Sequence, residues 1–277
     1  MNSSVFINTL FQRHQKSTTT FPDKVLAVEF IDGFFEFLFI PERQKKLSEF
    51  ELTKEYESLK SHLSTLIYDV IGDGEQTQAI ANSFFGEIPA VYESLLQDAE
   101  AILQFDPAAE SIEEVLVAYP GFYATAIYRL SNILWKLGVK MLPRVFAEYA
   151  HSKTGIDIHP GATIGSSFFI DHGTGIVIGE STSIGNNVKI YQGVTLGALS
   201  VNKMLAKSKR HPTIEDFVVI YSGATILGGE TVIGRNSVIG GNVWLTNSVM
   251  PQSIVYHKSE VTIRDKNPLP DVLNFVI

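Results

Sequence analysis

The 277-residue sequence contains no cysteine. A disulfide framework, a thiol nucleophile and a cysteine-ligated zinc site are therefore excluded. Basic residues are also few: 22 lysines and arginines stand against 30 aspartates and glutamates, which gives a formal net charge of −8. The chain has no global positive field for nucleic acid or an anionic membrane, so any anionic ligand must be met by a local cluster.

Long hydrophobic runs are missing as well. Charged residues interrupt every apolar stretch well short of the roughly 20 residues that a transmembrane helix needs. The first residues, MNSSVFINTLFQRHQK, lack the apolar segment and small-residue cleavage site of a secretory signal. We therefore expect a soluble, cytoplasmic protein. Its 45% hydrophobic content is ample for one large or two ordinary packed domains.

The first half shows a helical period. From Phe21 to about Ser152 apolar residues recur every three or four positions, as in VLAVEFIDGFFEFLF. This period predicts about six amphipathic helices, in an α-helical domain that spans residues 1–152. The many aromatic residues of this half are interpreted as core. Proline and glycine favour turns and helix ends, and they predict breaks at Pro41-Glu42, Gly72-Asp73-Gly74, Asp106-Pro107 and Pro120-Gly121.

After Gly155 the period changes to six. The repeating aliphatic positions are Ile158, Ile164, Ile170, Ile178, Ile184, Ile190, Leu196, Ile214, Ile220, Ile226, Ile233, Ile239 and Leu245. Such a period is typical of a parallel β-helix, in which three short faces close a coil and the aliphatic residues form an inward ladder. The predicted fold class is α+β: the N-terminal helical bundle followed by a C-terminal left-handed parallel β-helix over residues 153–256, with a tail over residues 257–277.

The ladder is irregular at three places. Two residues are added between Ile170 and Ile178, and one is added between Ile226 and Ile233. Residues 198–211 contain the charged stretch VNKMLAKSKRHP and are predicted to form an excursion loop. A loop that leaves a uniform solenoid usually lies on a binding face, although a solvated surface insertion is the alternative.

The first irregularity holds a candidate general base, His172, directly after Asp171. Histidine is suited to proton abstraction near neutral pH. Asp157 lies fifteen residues earlier, close to one coil back, where its carboxylate would orient the imidazole. Such a pair, without a protein nucleophile, suits activation of a substrate hydroxyl toward an acyl thioester. A structural histidine is the alternative.

Three further candidates lie elsewhere. Lys207-Ser208-Lys209-Arg210-His211-Pro212 closes the excursion loop, where Arg210 is suited to a carboxylate and the lysines to phosphates. A solvated charge run is equally open there. Asp106-Pro107 is, from spacing alone, an ordinary helix start with an aspartate cap. Glu180 follows Gly179, and its ordinary interpretation is an exposed corner carboxylate.

Several segments together resemble serine O-acetyltransferases of the hexapeptide-repeat acyltransferase superfamily. They are DIHPGATIGSSFFIDHGTGIVIGEST, YQGVTLGA and KRHPTIEDFVVIYSGATILGGETVIG, with Asp106-Pro107-Ala108 and GFYATAIYRLSNILW in the helical half. The hexad ladder alone is shared with sugar and antibiotic acetyltransferases, but this ordered combination is far more specific. The resemblance implies transfer of acetyl from acetyl-CoA to the L-serine hydroxyl, giving O-acetylserine for cysteine biosynthesis.

The resemblance also implies residue roles. His172 would be the general base and Asp157 its partner. The substrate ammonium would be bound by Asp106 and Asp171, and its carboxylate by Arg210 and His211, with Glu180 in the same group. No metal is implied.

Acetyl-CoA would lie along the β-helix wall. The implied contacts are Thr195, Gly197 near the oxyanion, Ala198 and Lys258. The sequence departs from the common family pattern here, because VTLGA replaces VTLGG, the loop that follows is long and basic, and the usual GVPA turn after the last coil is missing.

The resemblance further implies a homotrimer, with a dimer of trimers as a possible extension. The C-terminal Ile277 would bind O-acetylserine sulfhydrylase, unless the tail is disordered or packs on its own chain. Three other functions stay open at this point. They are acetyl transfer to a sugar or another hydroxy amino acid, a metal-dependent lyase of the carbonic anhydrase kind with His159, His172 and His211 as ligands, and an inert scaffold.

Overall fold

The computed structural model describes residues 2–16, 21–40, 48–199 and 208–258. In these ranges all the helices precede all the strands. The helices are α1 (Ser3–Lys16), α2 (Lys24–Phe39), α3 (Glu49–Ile71), α4 (Gly74–Phe105), α5 (Ile112–Ala118), α6 (Pro120–Lys136) and α7 (Leu142–Thr154). None of these helices is long and apolar enough to cross a membrane.

Several helix boundaries lie at glycine, proline and aspartate residues of the sequence. Gly72 ends α3 in the left-handed conformation, with φ of 72°, and Asp73 caps α4 by accepting a backbone N–H. The predicted breaks at Gly72-Asp73-Gly74, Asp106-Pro107 and Pro120-Gly121 are confirmed, while Pro41-Glu42 lies outside the described residues. Asp106 ends α4 and does not start a helix, because the next helix begins only at Ile112.

The β-helix has short strands on three faces. In chain order they are β1 (Asp157–Ile158), β2 (Thr163–Ile164), β3 (Phe169–Asp171), β4 (Val177–Ile178), β5 (Ser183–Ile184), β6 (Lys189–Tyr191), β7 (Thr195–Gly197), β8 (Thr213–Ile214), β9 (Val219–Ile220), β10 (Thr225–Leu227), β11 (Val232–Ile233), β12 (Val238–Ile239), β13 (Trp244–Leu245) and β14 (Ile254–Val255).

Three parallel sheets stack these strands into about five coils. Sheet A has the order β1-β4-β7-β10-β13, sheet B has β2-β5-β8-β11, and sheet C has β3-β6-β9-β12-β14. Every predicted ladder residue from Ile158 to Ile239 is buried. Where two residues are added, His172 and Gly173 adopt positive φ values of 56° and 90°. The predicted fold class, a helical bundle followed by a hexapeptide-repeat parallel β-helix, is confirmed.

A buried ion pair joins the bundle to the first coil. The Arg129 Nε donates to Asp98 Oδ2 at 2.7 Å, and Arg129 Nη2 donates to Asp98 Oδ1 at 3.0 Å. Arg129 also donates to the Gly165 carbonyl at 2.6 Å, while Asp98 accepts the Phe168 amide at 2.8 Å. Helices α4 and α6 are therefore fixed against the coil that carries Asp171 and His172.

Candidate active site

The candidate residues of the β-helix lie mainly at two corners. We call residues 171–176, between sheets C and A, the His172 corner. We call residues 179–182 together with 208–212, between sheets A and B, the His211 corner. The strand β4 starts directly after the first and ends directly before the second. Within one chain, the candidate base and the candidate carboxylate ligands are therefore separated by the width of sheet A.

His172 stands out from its corner. Its side chain is 73% exposed, and its Nε2 lies 3.8 Å from Asp171 Oδ1, beyond hydrogen-bond distance. Its left-handed backbone is continued by Gly173, where a Cβ would lie 3.0 Å from Cγ1 of Ile156. The corner is thus fixed by packing while its imidazole faces open space.

Asp157 begins β1 at the edge of sheet A, where its amide donates to the Ile176 carbonyl at 2.9 Å. Burial raises the pKa of its carboxyl above the usual value, although the charge of the nearby His151 on α7 acts in the opposite direction. Within the described ranges no hydrogen bond joins this carboxylate to His172. The pairing of Asp157 with His172 therefore stays a prediction.

The helical half brings Asp106 to the His172 corner. Helix α6 packs so closely on β3 that a Cβ at Gly121 would lie 2.8 Å from the Ile170 carbonyl oxygen. The Tyr119 hydroxyl, just before α6, donates to Asp106 Oδ2 at 2.9 Å. Burial, followed by this hydrogen bond, raises the pKa of Tyr119 to about 12, and Asp171 acts in the same direction. The Tyr119 hydroxyl thus donates to Asp106, and the negative charge of Asp171 acts on the same phenol.

Ser181 organises the His211 corner. Its Oγ accepts the backbone amides of Arg210 at 2.9 Å and His211 at 3.1 Å, and its own amide donates to His211 Nδ1 at 3.1 Å. Because Nδ1 accepts, the neutral ring carries its proton on Nε2. Burial, followed by the charge of Arg210, lowers the pKa of His211 to about 4. His211 is therefore a neutral N–H donor.

Glu180 holds the neighbouring guanidinium. Arg210 Nη2 donates to Glu180 Oε2, and both side chains are about one-third exposed or less. Lys209 Nζ donates to the Ser181 carbonyl at 2.7 Å. Lys209 and Arg210, in the described part of the basic segment, are thus anchored to the corner and are not free surface charges.

The outer face of sheet A connects the two corners. Thr195 and Gly197 flank the buried Leu196 and are themselves half-buried. The strand register stacks Thr195 two levels above Asp157.

The remaining predicted contacts lie at the limits of the described ranges. Ala198 follows β7 and is half-buried, and Lys258 is exposed three residues after β14. Most of the excursion loop, residues 200–207, and the C-terminal Ile277 lie outside the described residues.

The sequence alone did not point to Ser181 or Tyr119, and it suggested His159 only as a metal ligand. Their hydrogen bonds join segments that are 13 to 30 residues apart, and no local motif marks such pairs. His159 and His211 lie on the same side of sheet A, and His172 lies on the other. Among the described residues, no group of three or more histidine, aspartate or glutamate side chains is placed to hold a metal ion.

No family model matches the sequence. The plasmid serine acetyltransferase of Synechococcus elongatus is 52% identical over 198 residues, covering 70% of this chain and 60% of that protein. This chain spans about three fifths of the length of several curated relatives that it matches.

Solved structures agree with the sequence relatives. Serine acetyltransferase isoform 3 of Entamoeba histolytica, solved in complex with cysteine, is 36% identical with a TM-score of 0.76 and covers 93% of both chains. A serine acetyltransferase solved in complex with CoA is 28% identical with a TM-score of 0.57, covering 82% of this chain and 94% of that one. Together with the fold and the two corners, these likenesses show that the chain belongs to the serine acetyltransferase family.

Proposed function

We propose that the protein transfers the acetyl group of acetyl-CoA to the hydroxyl of L-serine, giving O-acetylserine and CoA in cysteine biosynthesis. The observation that carries the proposal is the distribution of charge over the two corners. Asp106 and Asp171 supply carboxylates for an ammonium, and Arg210 with the neutral His211 supplies donors for a carboxylate. An amino acid zwitterion matches this arrangement, and the relatives' names agree with it.

His172 acts as the general base in this proposal. Its imidazole takes the hydroxyl proton while the serine oxygen attacks the thioester carbonyl carbon. A C–O bond forms, the C–S bond breaks, and the imidazolium returns the proton to the CoA sulfur. Asp157, at the level of the first coil, orients the imidazole and stabilises its charged form.

The width of sheet A leads to an assembly proposal. Because one chain holds the two corners apart, we propose a homotrimer in which the His172 corner of one copy faces the His211 corner of the next. Glu180 holds Arg210 toward the substrate carboxylate in this arrangement. Two such trimers would pair through their helical halves to form a hexamer.

Acetyl-CoA is the proposed co-substrate along sheet A. Gly197 lies near the thioester oxygen, with Thr195 and Ala198 beside the pantetheine and Lys258 toward a phosphate. Ile277 is the proposed contact for O-acetylserine sulfhydrylase. Deletion of Ile277 is expected to abolish binding of that enzyme in a pull-down, and unchanged binding would remove this part of the proposal.

The decisive experiment measures CoA release from acetyl-CoA with and without L-serine. We expect serine-dependent release by the wild type and a loss of about 10²–10⁴-fold in His172→Ala, because a positioned general base contributes about that much. His14→Ala, a substitution on the exposed face of α1, is the matched control. Release that does not depend on serine, or full activity in His172→Ala, would contradict the proposal.

A further inference from the structure

His159 occupies the position directly below His211. It follows β1, and the strand register places Gly179 one level above it and Gly197 two levels above it. Gly179 has no side chain, and the His211 ring fills the space that one would take, since a Cβ there would lie 2.7 Å from His211 Cγ. Two imidazoles therefore occupy successive levels of one column, about 4.8 Å apart along the stack of coils.

The hydrogen-bond role of His159 is set by the backbone. Its Nδ1 accepts the Gly161 amide at 3.0 Å, so the neutral ring carries its proton on Nε2. Burial, followed by the charge of Arg144, lowers the pKa of His159 to about 4. The side chain is partly exposed, and its Nε2 has no acceptor among the described residues.

The orientation of this donor is fixed by packing. The Trp135 ring meets the His159 ring edge to face, with centroids 4.9 Å apart and an interplanar angle of 85°. Gly161 lets these side chains pack closely, because a Cβ there would lie 3.0 Å from both Trp135 Nε1 and Glu180 Cγ. A donor held in this way loses little entropy on binding a ligand.

The surroundings of this donor favour an anion. Arg210 and His211 are close enough to His159 to influence its titration, and Glu180 is already paired with Arg210. We infer that the Nε2–H of His159 contacts the substrate and completes, with Arg210 and His211, a three-donor subsite for the carboxylate of the amino acid. The inference rests on the proposed function.

Two substitutions separate this role from a purely structural one. Glutamine in His159→Gln places an N–H near the Nε2 position but has no acceptor at the Nδ1 position. Asparagine in His159→Asn places an acceptor near Nδ1, where it still caps Gly161, but has no group at Nε2. A substrate contact is thus preserved by glutamine, whereas a cap is preserved by asparagine.

Binding of L-serine by isothermal calorimetry to the full chain is the primary measurement. We expect His159→Asn to raise the Kd for L-serine about 10-fold or more, as for a lost hydrogen bond to a charged group, and His159→Gln to stay within about 3-fold of the wild type. The Kd for L-serinamide, which lacks the carboxylate, is expected to be the same in all three. The opposite order of the two variants would identify a cap and overturn the inference.

Calorimetry also separates this inference from the proposed function, because binding does not require turnover. Wild-type protein that binds L-serine without acetylating it would contradict only the proposed function. Equal L-serine Kd values in the wild type and both variants would overturn only the role of His159, and no binding by the wild type would overturn both. Thermal unfolding verifies that each variant is folded, and His14→Asn is the histidine-loss control.

Discussion

The close contact between Gly179 and His211 predicts that Gly179→Ala damages the site without damaging the fold. A Cβ at position 179 would lie 2.7 Å from His211 Cγ and closer still to two other ring atoms. Ordinary contact begins at 3.4 Å. Relief of the overlap therefore moves the imidazole by about 1 Å, away from the position that Ser181 fixes through Nδ1.

A displacement of this size is costly where geometry decides the rate. A misplacement of about 1 Å lowers catalytic efficiency by about 10²-fold, which corresponds to about 2.7 kcal/mol of transition-state stabilisation. We therefore expect kcat/KM for L-serine to fall about 100-fold in Gly179→Ala, measured by CoA release under saturating acetyl-CoA. The melting temperature is expected to change little, because the clash is with a side chain.

Two other glycine-to-alanine substitutions serve as controls. Gly86→Ala in α4 introduces a Cβ that meets nothing within 4 Å, so kcat/KM is expected to be unchanged. Gly165→Ala introduces a Cβ 2.7 Å from the Gly185 backbone. It is therefore expected to lower the melting temperature more than Gly179→Ala does, and to lower kcat/KM less. If Gly179→Ala kept wild-type kcat/KM, the claimed position of His211 in the site would be refuted.

Two further predictions concern stability. Arg129→Ala leaves the fully buried Asp98 unpaired and is expected to reduce the free energy of unfolding by about 3–5 kcal/mol in urea titrations. Arg235→Ala, in an exposed pair, should change it by less than about 1 kcal/mol, and equal effects would contradict the claim of a buried clamp. The pKa values of about 4 for His159 and His211 lie below the unfolded value of about 6.5. At pH values between the folded and unfolded pKa, these histidines are protonated in the unfolded chain but not in the folded chain. The free energy of unfolding should therefore fall as the pH is lowered from 6.5 toward 4. His211→Asn should show a shallower fall, and a slope equal to that of the wild type would contradict the depressed pKa.

The sequence predicted the β-helix well because each face of each coil must bury one aliphatic side chain. That requirement produces an aliphatic residue at every sixth position of the sequence, and these residues form the buried ladder from Ile158 to Ile239. The two added residues before Ile178 also appear as the corner with positive φ at His172. Spacing alone misjudged Asp106, because the residue before a proline is held out of the helical conformation, so an Asp-Pro pair can end one helix as well as precede another.

The site was harder to predict because its geometry depends on stacking. The roles of Ser181 and His159 depend on which residues lie one coil above them, and the long excursion loop before Arg210 obscures that register in the sequence. Tyr119 reaches Asp106 only because α5 and α6 fold back on the end of α4. The tautomers of both histidines follow from single backbone amides, which no residue pattern reveals.

The two corners lie on opposite sides of sheet A, and in the proposed trimer this separation would make activity depend on protein concentration. A single chain contains every side chain of the proposed site, but these side chains come together only between neighbouring copies of the proposed trimer. Dilution to a protein concentration below the dissociation constant of the trimer would then remove activity by mass action, while each chain stays folded. The rate per chain would therefore depend on how much protein is present as well as on how much substrate.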